Sequence, residues 1–275
     1  MKLAVMLPVC LVTLIAPVIC AAQKNAHKAN KTLSFYPNKV AAHRGAWKNT
    51  NTPQNSLASL KAAIALKCTA SEMDVHMTAD SVLIVNHDPH YAGLDIQNST
   101  YEQLSKTKLK NGEPLPLLQG FLDVIKSQTG TRLVLEIKPS QRGEEWAAAT
   151  VKKVVDMVKE SKAAPWVVYI SFSYYMCQEV LRLDPSAHVQ YLNGDINPAK
   201  LKADGMAGLD YHFSVFKKHP EWVQEAKDNK LVLNAWTVND REEMRSLLDQ
   251  GFDFITTNEP EMLLELAGSS TAAKK

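Results

Sequence analysis

From Lys39 onward, short runs rich in valine, isoleucine and leucine alternate with segments whose apolar residues recur at helical spacing. No other feature restricts the fold so strongly. The strand-like runs are Lys39–Ala42, a stretch about Glu72–Val75, Leu133–Lys138, Val167–Phe172, His188–Leu192, Gly208–Phe213, Leu231–Val238 and Phe252–Thr256. Helical stripes lie between them, such as Leu57, Leu60 and Ile64, or Val151, Val154, Val155 and Val158. One further run, Val82–Val85, follows the turn Thr78–Ser81 and reads as the return arm of a hairpin. With that arm set aside, eight strand–helix units indicate an α/β chain folded as a (β/α)8 TIM barrel. A doubly wound open sheet is the alternative, but no Gly-x-Gly-x-x-Gly follows the first strand.

The helices have local start and stop signals. Thr52-Pro53 reads as a cap followed by proline in the first turn, with the helix running to about Lys67. Its positive end would lie near His43-Arg44, a favourable location for an anion. Asn239 with Glu242, and Gly251 beyond, frame the helix 240–250. Residues 89–116 carry Pro89, Gly93, Gly112, Pro114 and Pro116, too many for an ordinary link. They read as an insertion over the site, spanning about 76–116 with the hairpin, with a short helix near Thr100–Lys106.

Residues 1–22 have one early lysine, an apolar core Leu3–Cys20, and small residues before Gln23. They read as a signal peptide, so the mature chain is expected to be exported, periplasmic or secreted. Lipid anchoring at Cys20 is disfavoured by the bulky Ile19. Residues 23–38 form a polar leader, 39–267 the barrel domain, and 268–275 a disordered tail. No later run approaches the ~20 apolar residues of a membrane span, so no membrane insertion is expected. A formal charge of +2 gives no argument for nucleic acid. Cys68 and Cys177 remain after the leader and are expected to be buried thiols, with no zinc spacing. Oligomeric state is not encoded in any visible pattern.

The candidate site gathers where strands end. His43, Arg44, Glu72, Asp74 and His87 fall within fifty residues, each at or near the end of an apolar run. A charge at such a place is costly unless it is paired or used. Glu72 and Asp74 share one strand face, and Val134, Glu136 and Lys138 another, leaving Leu133, Leu135 and Ile137 to meet helices. A hairpin folded about residues 80 and 81 would put Asp74 opposite His87 and Glu72 opposite Pro89. Glu72, Asp74 and Glu136 can form an all-oxygen site for Ca²⁺ or Mg²⁺. A zinc site using His43 or His87, and a salt-bridge cluster with Lys138 and Arg44, are the alternatives. Trp236 either lines the pocket or fills the barrel core. Ser171 is read as packing, and His76, His90, His188, His212 and His219 as non-catalytic.

These stretches, His43-Arg44-Gly45, Pro53-Gln54-Asn55-Ser56, Glu72-Met73-Asp74, His87-Asp88, Glu136-Ile137-Lys138 and Trp236-Thr237-Val238-Asn239, stand in the order of a known pattern. Over about residues 40–262 the chain resembles the glycerophosphodiester phosphodiesterase family. Gln54 replaces the usual glutamate, and Asn258 stands where the family often has aspartate. The resemblance implies metal-dependent cleavage of small glycerophosphodiesters to glycerol 3-phosphate and an alcohol. His43 and His87 would divide acid and base duty, while Arg44 and Lys138 hold the phosphate and Trp236 the organic moiety. The rivals are a phosphatidylinositol- or sphingomyelin-type phospholipase on the same plan, and a non-catalytic exported module that binds phosphate esters.

Overall fold

The computed structural model describes residues 32–272. The expected signal peptide, and the leader up to residue 31, lie outside the described residues. The first elements are β1 (Val40–Ala42), α1 (Leu57–Ala65), β2 (Ala70–Met77) and β3 (Leu83–Val85). The insertion follows as β4 (His90–Tyr91), β5 (Leu94–Asp95) and α2 (Tyr101–Leu104). Next come α3 (Leu118–Lys126), β6 (Arg132–Ile137), α4 (Glu144–Glu160), β7 (Val167–Ser171), α5 (Tyr174–Leu183) and β8 (His188–Tyr191). The last part holds α6 (Pro198–Ala203), β9 (Gly208–His212), α7 (Phe213–Lys218) and α8 (Glu221–Asp228). It closes with β10 (Val232–Trp236), α9 (Arg241–Asp249), β11 (Phe254–Thr257) and α10 (Pro260–Ala272).

The main sheet has nine strands in the order β1-β11-β10-β9-β8-β7-β6-β2-β3, and β1 also pairs with β2. Eight parallel strands therefore close into a ring, and β3 pairs antiparallel on β2 outside it. This is the TIM barrel that the alternation indicates. Alternate side chains divide into two layers. Leu133, Leu135 and Ile137 point outward into one core with Val151, Val154, Val155 and Val158 of α4. Val134 points inward with Ala41, Ala70, Val168, Ile170, Leu192 and Phe254. Toward the C-terminal strand ends the inner layer gains Glu72, Asp74, Glu136 and Asp210 beside Ile170 and Leu192, so the mouth of the barrel holds the charges. Cys68 and Cys177 are free and buried, as expected.

The structure corrects several local expectations. The hairpin pairs Val75 with Val85 and Met77 with Leu83, one residue off the expected register. Asp74 consequently faces Asn86, whose N–H donates to the Asp74 carbonyl at 3.1 Å. The shift comes from the turn: Val82 N–H is taken by Thr78 Oγ1 and Ser81 adopts φ +62°, making it tighter than residue patterning suggested. Helix α1 begins at Leu57 under a Ser56 cap, and not at Thr52. Its first N–H donates to Glu113 and the Ser59 N–H to Ser56 Oγ, so two donors of that helix end are already taken by side chains. Asp240, and not Asn239, caps α9. Helix α10 continues to Ala272, through residues assigned to a tail. The insertion has a core of its own, Ile84, Ile96, Leu104 and Leu115, with α2 inside the expected 100–106 helix.

Gly45 sets the loop that carries His43 and Arg44. It has φ +83°, and a Cβ there would lie 2.3 Å from Ser59 Oγ and 2.7 Å from the Ser59 carbonyl carbon. Gly112 has a similar φ of +85° but nothing within 4 Å. Gly45→Ala should cost about 2–5 kcal/mol, adding overpacking to backbone strain, and Gly112→Ala only about 1–2. Urea unfolding of both variants checks this; equal losses would mean that the loop is not pinned against α1.

Candidate active site

Strand register assembles the acids. Asp74 of β2 pairs laterally with Glu136 of β6, and Glu72 stands one inward position before Asp74. All three are buried, and one oxygen from each lies within 4.8 Å of the others. Lys138, just past β6, places Nζ 2.8 Å from Glu136 Oε1 and 3.2 Å from Asp74 Oδ1. Arg44 Nε lies 3.8 Å from Asp74 Oδ2, and its backbone N–H donates to Glu72 Oε2 at 2.8 Å. Asn55 grips Asp74 twice, donating from Nδ2 to Oδ2 at 2.8 Å and accepting the Asp74 N–H at 3.2 Å. A salt-bridge cluster is thus present, as one alternative anticipated.

That cluster does not neutralise the acids. Burial, then the neighbouring Asp74 and Glu136, push Glu72 well above the usual carboxylate range. Glu136 is raised by burial and by Asp74, against the pull of Lys138. Burial also acts to raise Asp74, but the Lys138 charge, His87 and the Asn55 hydrogen bond outweigh it and hold Asp74 low. Three buried carboxylates facing one point therefore cannot all be ionised with two side-chain cations nearby. A hard divalent cation among them would relieve that repulsion, and three carboxylate oxygens are the donors such an ion takes. The residues fit a cation site.

The histidines stand on two sides of the same mouth. His43 follows β1 and donates from Nδ1 to Asn258 Oδ1 at 2.8 Å, and its Nε2 has no hydrogen bond among the described residues. Burial, with the Arg44 guanidinium beside it, pulls His43 down from the ordinary 6.5 to about 4. His87 is half-exposed and donates from Nδ1 to Asp88 at 2.7 Å. His76, itself lowered to about 4 by burial, donates from Nε2 to the His87 carbonyl at 3.3 Å and so supports it.

Together they surround a pocket of about 120 Å³, lined on its polar side by His43, Arg44, Glu72, His87, Glu136 and Lys138. Asp74 lies immediately behind, bonded to Lys138. Every candidate named from sequence is therefore brought together. Trp236 forms part of the apolar wall, edge-on to Phe172 at 5.4 Å, with its Nε1 donating to the Asp210 carbonyl. Ser171 donates to the Ile137 carbonyl at 2.8 Å.

Sequence reasoning missed Asp210, which lies in the pocket wall. It is fully buried with Oδ1 unbonded, and burial followed by Glu136 raises it far above its usual range. Its signal was the one that revealed Glu136, an acid inside an apolar strand. Asn239 was misread as a cap. Its Oδ1 accepts from the Asn258 N–H at 2.9 Å and so holds the residue that orients His43.

The sequence pattern of the Glycerophosphoryl diester phosphodiesterase family matches residues 43–262. A glycerophosphodiester phosphodiesterase of Caldanaerobacter subterraneus is 29% identical, over 82% of this chain and 96% of the relative. A crystal structure of a glycerophosphodiester phosphodiesterase from Parabacteroides distasonis superposes with TM-score 0.83 at 41% identity, covering 86% of this chain and all of that one. A second, assigned to the same activity in Silicibacter pomeroyi, gives TM-score 0.76 at 25% identity over 85% and 94%.

The acid cluster makes stability depend on pH in a defined direction. Glu72, Glu136 and Asp210 hold protons more tightly folded than unfolded. Their contribution is full below about pH 4 and is lost as pH rises through the raised folded values. His43 and His76 are lowered, so theirs is complete above about pH 6.5 and is lost only as pH falls toward about 4. Between pH 6.5 and 8.5 the acids set the trend. The melting temperature of chelator-treated protein should fall over that interval, and about 5 mM Ca²⁺ or Mg²⁺ should restore it by an amount that grows with pH. A cation effect independent of pH would exclude the cluster as the binding site.

Proposed function

The chain belongs to the glycerophosphoryl diester phosphodiesterase family, and from that membership we propose that it hydrolyses small glycerophosphodiesters to glycerol 3-phosphate and an alcohol, with a divalent cation held by Glu72, Asp74 and Glu136. The observation that carries this reading is the convergence of that acid cluster and two imidazoles on one small pocket. Bound there, Ca²⁺ or Mg²⁺ supplies positive charge to a non-bridging phosphate oxygen and makes phosphorus easier to attack.

The remaining roles follow from the side chains. His43 is neutral near pH 7 with Nε2 unbonded, which suits it to take the proton of the attacking hydroxyl. That hydroxyl belongs to water or to the glycerol of the substrate. In the second case a cyclic phosphate forms first and water opens it. In either case the net change adds water across one P–O bond. Donation of a proton to the departing alcohol oxygen then falls to His87. Arg44, which lines the pocket, would hold a phosphate oxygen with its planar fork, and Lys138 would add positive charge at the same mouth. Trp236 and Phe172 give the glycerol carbons an apolar wall.

His43→Ala and His87→Ala should each lower kcat by ~10²–10⁴ toward glycerophosphocholine, the range for losing an acid or base. Choline release and circular dichroism together separate lost chemistry from lost fold. A variant within tenfold of the parent would remove that histidine from the mechanism. Exhaustive chelation should abolish turnover and added Ca²⁺ or Mg²⁺ should restore it; full activity in chelator would refute the cation site.

A further inference from the structure

Beside the small pocket lies a second recess of about 700 Å³, between the loop after β1 and the insertion. Lys48, Lys108 and Lys110 line it together with the rings of Trp47 and Tyr91, and no carboxylate does. Lys48 pairs with Glu259 outside the recess. None of the ion pairs among the described residues involves Lys108 or Lys110. Their backbone is nonetheless fixed. Leu109 N–H donates to the Glu113 carbonyl at 2.8 Å, and the Tyr91 hydroxyl to the Thr107 carbonyl at 3.0 Å. Two lysines with no ion pair among the described residues thus stand in a concave wall, where focusing strengthens their field, and the nearby Glu113 carboxylate is taken by Asn111 Nδ2 and the Leu57 N–H.

The recess is continuous with the chemistry through one contact. Gln54 lines it and accepts a hydrogen bond of 2.8 Å from Nη1 of Arg44, which lines the small pocket. A phosphate at Arg44 therefore has a tight pocket on one side and the open recess on the other. About 120 Å³, walled by charged groups on one side and by Ile170, Phe172, Leu192 and Trp236 on the other, admits only a few heavy atoms, the size of a glycerol moiety. The larger space is the adjoining recess with room for a second ester group. Gln54 is neutral, so the junction between the two carries no negative charge.

We propose that this recess binds the alcohol half of the diester and selects alcohols that themselves carry an anionic group, such as a second phosphodiester. The inference rests on the hydrolytic reading above and adds the substrate class.

Three diesters that release the same glycerol 3-phosphate test it. The alcohol half is cationic in glycerophosphocholine, neutral in glycerophosphoglycerol and anionic in bis(glycerophospho)glycerol. Wild-type kcat/KM should rise in that order, and high salt should compress the differences. Lys108→Gln with Lys110→Gln should lower kcat/KM for the anionic diester roughly three- to tenfold, mainly through KM, and leave the neutral one within about twofold. Equal efficiency on all three diesters, or a double variant that changes all three alike, would overturn the assignment while leaving the hydrolase reading intact. Calorimetric titration of chelator-treated protein, in which no turnover occurs, should rank the three ligands in the same order. It decides the recess even if no diester is cleaved, an outcome that would sink the hydrolase reading instead.

Discussion

Mutual repulsion among three buried carboxylates is the constraint around which the mouth of this barrel is built. Asp74 and Glu136 are held side by side by the parallel register of β2 and β6, and Glu72 is fixed from the other side by the Arg44 backbone. Their carboxylates are held in place by the Arg44 N–H on Glu72, Asn55 on Asp74, and Lys138 on Asp74 and Glu136. The repulsion can be relieved by protonation, by the Lys138 and Arg44 charges, or by a cation. Lys138 and Arg44 leave Glu72 and Glu136 raised, so the arrangement remains prepared for a stronger positive charge.

The same positive groups shape the rest of the site. Arg44 opposes a proton on His43, keeping that imidazole neutral, and reaches outward to Gln54. Its carbonyl accepts from the Asn55 N–H and from Ser59 Oγ, which bind the loop to the start of α1. Asn55 in turn reaches Asp74. A continuous set of hydrogen bonds therefore runs from the helix start through the loop to the acid cluster. Gly45 lets the loop approach α1 closely enough for that set to form.

Much of this was legible before any coordinates. The strand–helix alternation led to the barrel, and the inward alternation of Val134, Glu136 and Lys138 was readable from spacing alone. The order of the short motifs selected the histidines, the cations and three of the four acids at the pocket. What misled was local geometry within turns. A one-residue change in the turn at Thr78–Ser81 altered the hairpin register, because nothing in its composition reveals which oxygen takes the Val82 N–H. Asn239 and Asp240 are both plausible caps, and only the proximity of Asn258 shows why the first serves the site. Asp210 escaped because no motif surrounds it, although its place in an apolar strand was visible.

The amino-acid sequence by itself determined the periodicities, and with them the barrel, the inward face of each strand and the acids, bases and cations available at the mouth. These depend on residue type and spacing, which are local properties. Tertiary structure alone decided which groups share a field. That His43 is pulled down, that Glu72 and Glu136 are pushed up, and that Lys108 and Lys110 face a recess joined to Arg44 through Gln54 all depend on distances between residues far apart in the chain. Burial and Coulomb interaction act through space and dielectric, and neither is written in sequence order.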